Sequence, residues 1–112
     1  MLDWVAYQKE LGSRVGQFGR LSPDTLRGYQ ALSQAGEKTG QFDAKTRELM
    51  ALAVAVALRC DGCITVHTAQ AVKLGATQAE VAEALGVAVA ISAGAAMVYS
   101  ARTLDAMQAH MG

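Results

Sequence analysis

The chain has two cysteines, Cys60 and Cys63, set three residues apart in Cys60-Asp61-Gly62-Cys63-Ile64-Thr65-Val66-His67. A pair at this spacing can close a disulfide or hold a metal, and no other cysteine is present to compete for either role. The surrounding residues read as helix, so the motif is a dithiol at a helix start. There, free backbone N–H groups and the helix dipole favour a thiolate. His67 lies four residues after Cys63, and helical side chains lean toward the N-terminus, so the imidazole reaches back toward Cys63 as a base or a stabilising cation. Spacing therefore casts Cys63 as the attacking thiolate and Cys60 as the resolving one. Helical residues three apart have Cβ atoms about 5–6 Å apart, whereas a disulfide wants about 3.5–4.5 Å. A bend at the helix start, which Gly62 permits, closes that gap. The chemistry is thiol redox.

Glu48 is the third candidate. It heads an apolar run with no further acid until Asp61, so burial would demand a partner. A carboxylate beside His67 would orient the ring and raise its basicity. If the flanking helices are antiparallel and turn near Cys60, Glu48 lies about 18 Å up one and His67 about 10 Å along the other. A steep crossing, a bridging water or a neighbouring subunit would have to make up the difference.

The elements that must position these residues are all helical, and about six are expected. Asp3 caps a first helix through roughly Phe18, with Trp4, Tyr7, Leu11, Val15 and Phe18 at helical spacing. Ser22-Pro23-Asp24 starts a second, bearing Leu26, Tyr29 and Leu32, which fades near Gly36-Glu37-Lys38. Asp43 caps a third that runs through Glu48 to Leu58, apolar all round and so expected to be buried on every side. A fourth starts within Asp61-Gly62-Cys63, with Asp61 as the expected cap, and stops at Leu74-Gly75. Thr77-Gln78-Ala79-Glu80 forms a capping box for a fifth, expected to break near Ser92-Ala93-Gly94. The sixth runs from about Ala95 to His110, itself expected to be frayed. Short turns between such helices imply an antiparallel all-α domain spanning residues 1–112.

Composition narrows the function classes. Ten basic and ten acidic residues cancel, with no basic run, so nucleic-acid binding has no electrostatic support. Apolar residues make up 52% but aromatics only 5%, so small side chains dominate and each buries little area. Such a chain is thinly stabilised alone, which points to a homo-oligomer. Ala84–Ala101 is uncharged over 18 residues, at the edge of membrane-spanning length. Its Ala, Gly, Ser and Val content fits a buried helix pair, and no membrane association is expected. The start Met1-Leu2-Asp3-Trp4 carries an acid early and lacks a secretory pattern. A close cysteine pair without a leader suits a reducing, cytoplasmic compartment.

Glu48, then Cys60-x-x-Cys63 twelve residues on, then His67, on all-helical sequence, resembles the carboxymuconolactone decarboxylase superfamily. The alkyl hydroperoxidase D (AhpD) branch is the most similar. Gly75-Ala76-Thr77 through Leu85 carries the likeness downstream, and it is clearest over residues 42–104. The resemblance implies an all-helical fold assembling as homotrimers or homohexamers, and reduction of a hydroperoxide substrate without metal or organic cofactor. It implies attack by Cys63, disulfide closure by Cys60, and a proton relay through Glu48 and His67. A dithiol reductant, such as a lipoyl protein, would restore the pair.

Two departures keep other readings open. The best-known branch has a histidine directly before the second cysteine, where this chain has Gly62, and it carries two helical halves where this chain has one. A disulfide-exchange adaptor without significant peroxidase activity is the second reading. A non-catalytic oligomeric module with a zinc-clipped turn is the third, drawing on Cys60, Cys63, His67 and the distant His110. The cysteine pair itself argues against lactone decarboxylation.

Overall fold

A computed structural model describes residues 1–112 as five helices and no strand. They are α1 (Trp4–Leu21), α2 (Pro23–Thr39), α3 (Ala44–Leu58), α4 (Asp61–Lys73) and α5 (Gln78–Met111). The local signals act as expected at most ends. The Asp3 and Asp43 carboxylates accept from the backbone N–H groups of Ala6 (3.1 Å) and Thr46 (2.7 Å), supplying partners that the first helical turn lacks. Pro23 opens α2, and Gly40 ends it with φ +68°, a conformation only glycine adopts without cost. Thr77 and Glu80 exchange the two hydrogen bonds of a capping box at 3.1 and 2.9 Å.

Several expectations need correction. The break at Ser92-Ala93-Gly94 does not form, and α5 runs unbroken for 34 residues, carrying His110 inside it. One glycine costs a helix about 1 kcal/mol, which the alanine-rich flanks absorb when no proline follows. Asp61 is not the cap of α4 but its first residue; Cys60 takes the cap position. Finally, α3 is not buried on every side: Leu52 and Ala55 are, but Val54 and Leu58 are exposed. Its neighbours are α4 and α5, which cover only part of its circumference.

The core is correspondingly slight. Leu52 and Ala55 of α3, Thr65 and Ala71 of α4, Ala88 of α5 and Gly19 of α1 are the buried residues. The N-terminal hairpin α1–α2 packs on this core through α4. Its close approach needs Gly19, where a Cβ would come within 2.5 Å of the Leu26 side chain. The buried helix pair expected across Ala84–Ala101 is also not formed: the segment lies in one helix, and from Ile91 onward every residue is exposed, because no other element of the chain packs against it. The radius of gyration is 18.4 Å, against about 13 Å for a close-packed chain of this length. By length and composition α5 is also apolar enough to cross a membrane.

Candidate functional site: a disulfide beside a Glu–His pair

The α3–α4 turn builds the site in two residues. Arg59 ends α3 in the left-handed region (φ +55°), and Cys60 follows in extended conformation (φ −101°, ψ 98°) as the cap of α4. No bend at Gly62 is needed: Cys60 stands just outside the helix, where its extended backbone redirects its side chain, with its Cα 5.3 Å from that of Cys63. The two are joined as a disulfide. The Cys63 backbone N–H donates to the Cys60 sulfur at 3.1 Å. The free N–H at the start of α4 therefore faces the Cys60 sulfur.

Glu48 and His67 meet directly, within one chain. The His67 Nδ1 lies 2.6 Å from Glu48 Oε2, with both side chains mostly buried. An ionised carboxylate can only accept, so Nδ1–H donates and Nε2 is the ring nitrogen left to take a proton. The crossing of α3 and α4 thus closes the gap that axial arithmetic left open, with neither water nor a second subunit.

A cavity of about 600 Å³ opens beside this group. Its walls are Gln8, Leu11 and Val15 of α1, Tyr29 and Ser33 of α2, and Cys60, Cys63, Val66 and His67 of α4 and its cap. That size accommodates a small organic molecule. Both sulfur-bearing residues and the histidine line it together, so a reactant there can meet a thiol and a proton carrier. The walls from α1 and α2 were not assigned a functional role from sequence. The stripe Tyr7, Leu11, Val15 and the residues Leu26, Tyr29 and Leu32 were legible only as apolar helix faces, and such faces do not say which element they cover.

The family model for the carboxymuconolactone decarboxylase family matches residues 23–106. The chain belongs to the carboxymuconolactone decarboxylase family. An uncharacterized protein of Haemophilus influenzae is 49% identical over 104 residues, covering 93% of this chain and 92% of its own. The crystal structure of a carboxymuconolactone decarboxylase family protein from Legionella pneumophila is 38% identical, with a TM-score of 0.75 and 94% of each chain covered. A Methanobacterium thermoautotrophicum crystal structure matches at 30% identity and a TM-score of 0.72, over 80% of this chain and 97% of its own. Family membership and the all-helical fold agree with each other, and the Cys-x-x-Cys pair is compatible with redox chemistry of the AhpD kind.

Proposed function

We propose that this protein is an AhpD-like thiol peroxidase, working as one domain in the cytoplasm through a dithiol–disulfide cycle. The observation that carries the reading is the Cys60–Cys63 disulfide sharing one cavity with His67, whose Nδ1 is held by Glu48. In the reduced state His67 Nε2 takes the Cys63 proton. The thiolate attacks the distal hydroperoxide oxygen; an S–O bond forms, the O–O bond breaks, and the departing alkoxide takes a proton from His67 to leave as the alcohol. Cys63 is now a sulfenic acid. The Cys60 thiol gives its proton to His67 and its sulfur attacks that of Cys63; the S–O bond breaks, the departing hydroxide takes the proton from His67 to leave as water, and the disulfide re-forms. A dithiol carrier, such as a lipoyl protein, then attacks the Cys63 sulfur. Cys60 is the better leaving group, since the α4 N–H awaits its negative charge.

Homo-oligomerisation, as a trimer or hexamer, belongs to the same reading. It is supported by the exposed half of α5 and the uncovered apolar side chains of α3, which a second copy would bury. That same need for cover accounts for the apolar length of α5 without a membrane.

The test is anaerobic. Reduced protein mixed with one equivalent of tert-butyl hydroperoxide should lose two hydrogens by intact mass within seconds. No oxidation over minutes, in protein that still exchanges with dihydrolipoamide, would replace the peroxidase with the disulfide-exchange adaptor. Stoichiometric zinc, lost together with folding on chelation, would favour the zinc-clipped module instead.

A further inference from the structure

The residue before Cys63 is where the AhpD-like branch places a histidine, and here it is a glycine with a specific neighbour. A Cβ on Gly62 would stand 2.8 Å from Leu11 Cδ2, closer than real Cβ contacts come. The space is therefore already filled, by hydrocarbon reaching over from α1. Leu11 is half-buried and forms part of the same cavity wall as Val15 and Val66. Of the polar groups around that cavity, His67 belongs to the reactive group itself, and Tyr29 and Ser33 are exposed, as are Val15 and Val66, so Leu11 is the half-buried apolar side chain of the wall. Gln8 Oε1 faces the Thr65 hydroxyl at 3.4 Å.

We propose that Leu11, seated on Gly62, is a specificity-determining residue that makes the approach to Cys63 favour reactants with an apolar chain over small hydrophilic ones. Two physical effects act in the same direction. A polar reactant must shed water against Leu11, Val15 and Val66, which return no hydrogen bond. An alkyl or aryl chain gains by covering those same side chains. Substitution of the family histidine by glycine thus exchanges a proton-bearing neighbour of the thiol for a hydrophobic one. As a reading of how the oxidant is chosen, this rests on the peroxidase function proposed above. As a statement about access to Cys63, it is testable without peroxide.

The first experiment compares single-turnover oxidation of the reduced protein by cumene hydroperoxide and by hydrogen peroxide, in wild type, Leu11→Ser and Leu11→Met. Leu11→Ser should lower the cumene-to-hydrogen-peroxide rate ratio roughly tenfold, the scale on which apolar pockets discriminate small groups. Leu11→Met should keep the ratio. The second uses Cys60→Ser protein, in which Cys63 is the lone thiol, and measures alkylation by N-cyclohexylmaleimide against iodoacetamide. Leu11→Ser in that background should lower the ratio similarly. Equal losses toward both reagents of each pair would mark Leu11 as merely structural and overturn the proposal. Wild-type protein inert to both peroxides, yet with a maleimide ratio that falls in Leu11→Ser, would remove the peroxidase function and uphold the role of Leu11. An unchanged maleimide ratio would remove the role of Leu11 whatever the peroxides do.

Discussion

The α3–α4 crossing and the distal half of α5 are both helical, yet they stand in opposite physical states. At the crossing, polar groups are matched inside the chain: Glu48 holds His67, and the buried Thr65 hydroxyl bonds the Trp4 carbonyl oxygen and Gln8. No buried side-chain polar atom lacks a partner. Beyond Ile91, by contrast, Met97, Val98, Leu104, Met107 and Met111 all face outward. The contrast teaches a division of labour. The disulfide and the Glu48–His67 pair are completed by one chain, whereas much of the apolar surface of α5 is left uncovered. An uncovered apolar surface of this extent is what the homo-oligomer proposed above would bury.

Cys63→Ser should break the comparison most severely on the side of the chemistry. Oxidation by tert-butyl hydroperoxide, followed by intact mass, should slow at least about 10³-fold while the helical circular dichroism is kept. Glu48→Gln should reduce the same rate by roughly 10²-fold. Glu48→Asp should recover part of the loss, which a purely structural role for the carboxylate would not predict. On the other side, Leu104→Asp would put an unpaired charge in any interface formed by α5. Sedimentation should then shift to the monomer mass, and the dependence of Tm on protein concentration should disappear.

Smaller effects sharpen the boundary between the regions. Thr77→Ala removes the capping box that starts α5 and should cost about 1 kcal/mol in denaturant unfolding, leaving thiol reactivity intact. The Lys45–Glu80 ion pair (2.8 Å) ties α3 to the base of α5. Its hydrogen bond holds the Lys45 pKa above 10.5, and the same bond, with the Thr77 N–H, holds that of Glu80 below 4.5. A depressed carboxylate stabilises the fold above its ordinary value and loses that contribution as pH falls through the lowered one. A raised lysine contributes fully below its ordinary value and loses this as pH rises through the raised one. Both groups are solvent-accessible, so the effect should be small and salt-sensitive. Comparing Glu80→Gln with wild type by thermal melts from pH 3 to 7 should show the two curves converging at the acid end.

Much of this was legible from local chemistry. Caps announce themselves because Asp3, Asp43 and Thr77 each complete a turn within three residues. The cysteine pair and its histidine were visible for the same reason, being neighbours along one helix. Glu48 was visible as an acid at the head of an apolar run. That it touches His67 depends on how α3 crosses α4, a tertiary quantity that axial rise does not contain. Leu11 and the other cavity walls were hidden for a similar cause, since helical periodicity names a face but not what it meets. The unbroken α5 shows the limit of local breakers: Gly40 stops α2 by turning to positive φ, whereas Gly94 keeps a negative one and only weakens α5. The exposed flank of α3 shows a further limit, because a helix apolar all round can be covered by other copies as well as by its own chain.

The most direct test of the central claim is to trap the product of the first step. Reduced Cys60→Ser protein, given one equivalent of tert-butyl hydroperoxide in the presence of dimedone, should carry a single adduct that peptide mapping assigns to Cys63. Formation should be as fast as disulfide closure in wild type, and it should slow markedly in the added presence of Glu48→Gln. An adduct on Cys60 in the Cys63→Ser protein at the same rate, or none in either, would contradict the account.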